Sequence, residues 1–156
     1  MRVRQLIQER KTLRKATGWK SSKVPPRHAP VFSQTAPISG GWLWQSGQIE
    51  NKNNNFVLHV RCNSTKDDWK AWLMISLNDG WSVVARLEYH ANHPGLHLHS
   101  NCRSSGSLIG AESLSLNGRL PKGGGYHRRV CRWTPNGFWN KSLLFFRIEV
   151  PGGDLI

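Results

Sequence analysis

The stretch that decides the fold is GWSVVARLEYHANHPGLHLHS, residues 80–100. Apolar side chains recur at every second position from 83 to 89, which places them on one side of an extended chain, with Arg86, Glu88 and His90 on the other. Residues 92–95, Asn-His-Pro-Gly, are typical of a turn, and residues 96–100 resume the alternation. These features predict two antiparallel strands joined as a hairpin.

The register of this hairpin follows from its leucines. If Leu87 lies opposite Leu98, the apolar residues of both strands share a buried face, whereas a shift of one position would bury charges. The opposite face then carries the ionisable residues, in the pairs Glu88–His97, Arg86–His99 and His90–Gly95. Facing side chains on neighbouring strands have Cβ atoms about 4.5–5.5 Å apart. The sequence therefore predicts a small patch of one carboxylate, one guanidinium and three imidazoles.

Other segments carry the same two-residue period. Residues 56–62, 126–133 and 143–150 alternate in this way, and residues 72–77 form a uniformly apolar run that is typical of a central strand. Residues 78–80, Asn-Asp-Gly, predict a tight turn from that run into the strand that follows. We therefore expect a twisted, mainly antiparallel sheet of about five or six strands.

The N-terminal region has a different pattern. Residues 2–16 place their apolar side chains, from Val3 to Ala16, on one helical stripe among basic residues, which predicts an amphipathic basic helix. Repeated Pro, Ser and Gly over residues 20–41 predict a loop or arm. The predicted fold is α+β, with a basic N-terminal helix and Pro/Ser-rich arm over residues 1–41 and a mainly β catalytic or binding domain over residues 42–156.

Charge indicates the kind of partner. Lys and Arg number 22 against nine Asp and Glu, for a formal net charge of +13. This sign favours RNA or other nucleic acid, because phosphate contacts release counterions, and an acidic protein inhibitor satisfies the same electrostatics. No run approaches the ~20 apolar residues of a transmembrane helix, and the N-terminus lacks a secretory signal, so we expect a cytoplasmic protein.

The cysteines do not indicate a disulfide framework. Cys62, Cys102 and Cys131 are odd in number and lack the spacing of a metal finger. We expect them to be thiols of the core.

The ionisable patch predicts a small basic nuclease that cleaves RNA without a metal or other cofactor, with a toxin-like or defence-associated role suggested by size and charge. Cleavage requires a base for the ribose 2′-hydroxyl, an acid for the leaving oxygen and a cation for the charge of the phosphorane-like state. Glu88 or one histidine is the candidate base, another histidine the acid, and Arg86 the cation. The candidate catalytic residues are His97, His99, Glu88, His90, Arg86 and, from a later predicted strand, His127. The residues assigned to nucleic-acid binding are Arg4, Arg10, Lys11, Arg14, Lys15, Arg61, Arg103, Arg128 and Arg129.

The same residues allow a metal-dependent oxygenase or hydrolase instead. His97-Leu-His99 places two imidazoles on one face of a strand, and with Glu88 they form a set suited to Zn or Fe. The His-X-His pair resembles the metal-binding strand of cupin-like barrels, a resemblance that covers this tripeptide alone and lacks the carboxylate found a few residues downstream. A structural zinc site would draw on His90, His93, His97 or His99 with Cys102.

Two further interpretations involve no catalysis. In the first, the chain is a non-catalytic module that binds nucleic acid or a protein through its positively charged face. Alternatively, the histidines are only polar residues on the solvent face of the sheet.

Overall fold

The computed structural model describes residues 3–31, 40–78, 80–90, 93–100 and 132–152 of the chain. These ranges contain helices α1 (Val3–Gln8) and α2 (Pro135–Phe145), a 3₁₀ turn (Pro26–His28), and strands β1 (Lys11–Ala16), β2 (Leu43–Glu50), β3 (Asn55–Asn63), β4 (Asp68–Leu77), β5 (Gly80–His90), β6 (His93–Ser100) and β7 (Ile148–Glu149). The described residues are therefore mostly sheet with little helix, in loose agreement with the α+β prediction.

The strands form one curled half-barrel in the order β6-β5-β4-β3-β2-β1-β7. Neighbours pair antiparallel, except that β1 and β7 run parallel. Strands β2 to β6 lie side by side in chain order, so that consecutive strands form a meander. The predicted sheet had one or two strands fewer than the described part of the chain contains, because β1 and β2 were not predicted.

The core face of the sheet is covered by both helices. Register places Leu58 beside Leu73 and Leu87 beside Leu98, and these leucines share one apolar cluster with α1 and α2. Cys62 lies in the same cluster, and burial raises the pKa of its thiol to about 12. The prediction of a core thiol is thus confirmed for Cys62, while Cys102 and Cys131 lie outside the described residues.

The long N-terminal helix was a wrong prediction. Helix α1 ends at Gln8, and from Lys11 the chain is extended, with Lys11 and Leu13 buried two positions apart. The backbone of β1 pairs with β2 on one side and β7 on the other. Hydrogen bonding between distant segments therefore overrides the local helical spacing.

The strand predicted over residues 143–150 was also wrong. Thr134 accepts a hydrogen bond from the Gly137 amide and Pro135 occupies the first turn, both of which favour a helix start at this point. Helix α2 follows through Phe145, and only residues 148–149 form a strand. Of the strand predicted over residues 126–133, positions 126–131 lie outside the described residues.

Strand β2 has no regular apolar alternation, and its place depends on a glycine. A Cβ at Gly47 would lie 2.6 Å from Leu13 Cδ1 and 3.2 Å from the Trp139 ring, so only glycine admits this close approach. The glycine lets β1 and α2 pack closely on β2.

The second face of the sheet is partly covered by residues 20–31. Val24 and Ala29 pack on Trp44, and Val31 packs against the cluster that contains Trp72. The remainder of this face, on β5 and β6, carries the ionisable residues. No helix in the described ranges is long and apolar enough to cross a membrane.

Candidate active site

The predicted hairpin is confirmed, and it positions the site. Strands β5 and β6 pair antiparallel with Leu87 opposite Leu98, Glu88 opposite His97, and Arg86 opposite His99. The apolar partners enter the core, so the ionisable partners project from the second face. Alternation within two short strands thus explains how Glu88 comes to lie beside two histidines.

Two irregularities differ from the prediction. A register shift after Glu88 places His90 opposite His93 rather than Gly95. Another shift near the start of β5 puts Val83 in the cluster on the second face, not in the core with Ala85. An inserted residue changes which face the neighbouring side chains occupy, and alternation alone does not reveal it.

Three imidazoles surround one carboxylate oxygen. Glu88 Oε1 lies 2.9 Å from Nε2 of His97, 3.0 Å from Nε2 of His99 and 3.4 Å from Nε2 of His90. The other oxygen, Oε2, lies 2.8 Å from Nε of Arg86 in an ion pair. We call these five residues, Arg86, Glu88, His90, His97 and His99, the Glu88 cluster.

Glu88 is ionised at the centre of this cluster. Its side chain is only 7% exposed, and burial alone would raise its pKa. The hydrogen bond from His97 and the charge of Arg86 outweigh burial and lower the pKa of the carboxyl to about 2. The carboxylate therefore holds its neighbours and has little capacity to accept a further proton.

His97 and His99 differ although both contact Glu88. His97 Nδ1 lies 3.1 Å from Gly95 O and Nε2 faces Glu88, so acceptors face both nitrogens, and the Glu88 hydrogen bond raises the pKa of His97. Burial and the neighbouring cations lower the pKa of His99 despite its carboxylate partner. Groups with pKa values moved apart are typical of an acid and a base in one site.

The cluster lines a shallow open depression. Glu88, His90, His97 and His99 border about 400 Å³ of space in the described part of the chain. His99 is the most accessible of the four, with 36% of its side chain exposed. A solvent-borne ligand therefore reaches the imidazoles more readily than it reaches the carboxylate.

The other predicted site residues are dispersed. Lys11 is buried, and its ammonium donates to the carbonyl oxygens of Ile7, Glu9 and Phe146, so its assignment to phosphate binding was wrong. Arg10 and Arg14 are exposed and form ion pairs with carboxylates. Arg4 and Lys15 are also exposed, but Arg4 lies on helix α1 on the core side of the sheet and Lys15 lies on strand β1. Arg61, on β3, lies on the second face, where its guanidinium approaches the Trp72 ring, and Arg14 borders a separate depression with Arg27 and Trp81. The remaining candidates, Arg103, His127, Arg128 and Arg129, lie outside the described residues.

A second histidine group on the same face escaped sequence reasoning. His59 is fully buried, with Nδ1 2.6 Å from Ser46 Oγ and Nε2 accepting from Arg61 Nε at 2.8 Å. Ser46 in turn donates to the His28 carbonyl. The His59 ring also lies between the rings of Trp44 and Trp72, with centroids 5.8 and 5.9 Å away. Since β2 was not predicted, the sequence carried no signal that Ser46 meets His59.

Comparison of the chain with protein-family models, curated proteins and solved structures finds no match. The chemistry of the Glu88 cluster is therefore the basis for inferring a function.

Proposed function

We propose that this protein cleaves RNA at the Glu88 cluster by general acid–base catalysis. The observation that carries the proposal is the convergence of three imidazoles and one guanidinium on a single buried carboxylate, beside open space. Histidine pairs and a cation are the groups that a metal-independent phosphodiester cleavage requires. The formal charge of +13 favours a polyanionic substrate.

His99 is the proposed base. Its Nε2 faces the Glu88 carboxylate, which only accepts hydrogen bonds, so Nε2 carries the hydrogen and Nδ1 carries the lone pair. A carboxylate that fixes the tautomer of a catalytic histidine is a recurring arrangement in hydrolytic sites. His99 Nδ1 takes the proton of the 2′-hydroxyl as the 2′-oxygen attacks phosphorus.

His97 is the proposed acid, and Arg86 stabilises charge. Both nitrogens of His97 face acceptors, an arrangement that favours the protonated ring. As the bond from phosphorus to the 5′-oxygen breaks, His97 transfers its Nε2 proton to that oxygen. The Arg86 guanidinium, held at Glu88, is the proposed cation that offsets charge on the phosphorane oxygens. Glu88 positions all three residues, and His90 adds a further donor.

The chemistry predicts a specific product. Attack by the 2′-oxygen yields a 2′,3′-cyclic phosphate and a 5′-hydroxyl end, and it cannot occur where the 2′-hydroxyl is missing. The test is to incubate the purified protein, with chelator present, with an RNA oligonucleotide and with the same oligonucleotide carrying 2′-deoxy sugars throughout. We expect cleavage of the RNA alone, with cyclic phosphate identified by mass spectrometry.

Other outcomes reject the proposal in distinct ways. Salt-sensitive binding of the RNA without cleavage would leave a non-catalytic nucleic-acid-binding module. Cleavage of both oligonucleotides, or products with a 5′-phosphate, would require a water nucleophile and another mechanism.

A further inference from the structure

We infer that Glu88, His90 and His97 also form a binding site for a divalent transition-metal ion of the zinc class, and that the bound ion blocks RNA cleavage. The binding site stands on its own geometry. The inhibition rests on the proposed function.

The spacing of the donor atoms fits a metal ion. Glu88 Oε1 and one ring nitrogen each from His90 and His97 all lie within 4.8 Å of one another, and the two Nε2 atoms are 3.4 and 2.9 Å from that oxygen. Zinc bonds to nitrogen and carboxylate oxygen measure about 2.0–2.2 Å, so two ligands lie about 2.9 Å apart at right angles and about 3.4 Å apart at tetrahedral angles. The observed separations match these edges of a coordination polyhedron.

The surroundings orient the ligands as metal sites require. His97 Nδ1 faces the Gly95 carbonyl at 3.1 Å, which fixes the hydrogen on Nδ1 and directs Nε2 toward the centre. Arg86 engages Glu88 Oε2 and leaves Oε1 as the ligand oxygen. Metal-bound imidazoles typically donate their second N–H to a carbonyl or carboxylate, and ligating carboxylates are themselves held.

The ligand types select the metal. Two imidazoles and one carboxylate suit Zn²⁺, Co²⁺ or Fe²⁺, whereas Mg²⁺ and Ca²⁺ prefer sites built from oxygen. His99 lies 3.0 Å from the same oxygen but is not a member of the mutually close group, so the sequence-based set of Glu88, His97 and His99 is replaced by one that includes His90.

A bound ion is incompatible with the proposed reaction. The ion would take the Nε2 lone pair of His97 and release that proton to solvent. His97 would then have no Nε2 proton for the leaving oxygen, and Glu88 Oε1 would bind the metal instead of orienting His99. Metal and proton compete for the same atoms.

The test is a titration of the full chain with Co²⁺, followed by displacement with Zn²⁺. We expect visible absorption bands that saturate at one ion per chain and disappear on adding Zn²⁺. His90→Ala and His97→Ala should each weaken Zn²⁺ affinity at least ~100-fold, the upper end of what is lost when only an outer-shell partner is removed. Glu88→Gln, of similar size, covers the case in which an alanine variant fails to fold.

His28→Gln is the matched control, because His28 contacts Trp44 and lies outside the cluster. It should bind the ion as the unaltered protein does. The absence of saturable Co²⁺ bands, or unchanged affinity in the variants of His90, His97 and Glu88, would overturn the metal site.

RNA cleavage separates the two proposals. We expect cleavage to persist in chelator and to stop when one equivalent of Zn²⁺ is added. If cleavage requires Zn²⁺, the inhibition and the metal-independent mechanism are both wrong, and the Co²⁺ bands of the variants still decide the metal site. If RNA is never cleaved, the proposed function and the inhibition fail, while the Co²⁺ bands still decide the metal site.

Discussion

The two histidine groups on the second face of the sheet share one scaffold and differ in their neighbours. His59, on β3, lies against Ser46 and Arg61 beneath residues 20–31, and burial followed by the charge of Arg61 lowers its pKa to about 3. His97, on β6, lies against Glu88 in an open depression, and its pKa is raised. The comparison shows that the neighbouring charge and the covering segment decide what a histidine on this sheet does.

Residues 20–31, which cover the His59 group, are held in place by hydrogen bonds to β2. Ser46 donates to the carbonyl oxygen of His28, and Trp44 donates from its ring nitrogen to that of Ser22, so residues 20–31 are held over β2 and β3. The Glu88 cluster, on β5 and β6, lies beyond the part of the sheet that residues 20–31 cover. The His59 group is therefore buried under this cover, whereas the Glu88 cluster is accessible to solvent.

The largest expected effect is on RNA cleavage and comes from a substitution in the Glu88 cluster. His99→Ala should lower the rate of RNA cleavage by about 10²–10⁴-fold, the usual contribution of a general base, because no lone pair then accepts the 2′-proton. RNA binding and the urea midpoint of unfolding should change little, since His99 lies at the rim. His28→Gln is the control. Cleavage by His99→Ala at the rate of the unaltered protein would exclude His99 as the base.

The next largest effect is on the free energy of unfolding and comes from a substitution of the buried His59. His59→Ala should lower the free energy of unfolding by about 2–4 kcal/mol, because it leaves a cavity between two tryptophans and removes the acceptor of Arg61. Urea denaturation measures the change. Ser46→Ala, which removes one oxygen, should cost about 1 kcal/mol and serves as the smaller comparison. A His59→Ala variant as stable as the unaltered chain would mean that this group contributes nothing to the fold.

The smallest effect is a pH dependence of the free energy of unfolding that arises from His59. His59 is neutral in the fold, with a pKa near 3, and titrates at its ordinary value of 6.5 when unfolded. The unfolded chain therefore binds one more proton than the folded chain between these pH values. As the pH is lowered through this range, the free energy of unfolding decreases by up to about 1.4 kcal/mol per pH unit. Above pH 6.5 this contribution to stability is fully present.

His59→Phe tests the origin of that slope, since it keeps a ring between the tryptophans and removes the titrating nitrogen. We expect urea midpoints measured from pH 7 to pH 4 to fall less steeply for His59→Phe than for the unaltered chain. Parallel curves for the two proteins would assign the acid sensitivity to other groups.

Much of the hairpin could be predicted from sequence because its information is local. Leucines at 87, 96 and 98 alternate with ionisable residues, and a shift of the register by one position would bury the ionisable set. Residues 143–150 fit a strand equally well by spacing, yet the Thr134 cap and Pro135 favour the helix that forms. Periodicity gave the right answer where it had one interpretation and failed where end signals contradicted it.

Strand β1 shows a different limit. Residues 11–16 fit a helical stripe, but β2 and β7 offer hydrogen-bond partners on both sides, and a helix would remove the partner that joins β7 to β2. The close packing at Gly47 and the meeting of Ser46 with His59 depend on the same distant pairing. No window of neighbouring residues contains this information.

The amino-acid order alone determined that Arg86, Glu88, His97 and His99 would gather on one face, because strand alternation and a tight connection act over a few residues. Tertiary structure decided the rest. It changed the cross-strand partner of His90 from Gly95 to His93, buried Lys11 and His59, and placed residues 20–31 over one histidine group while leaving the other open. These outcomes depend on which distant surfaces exclude water together, and that is a property of the whole packed sheet.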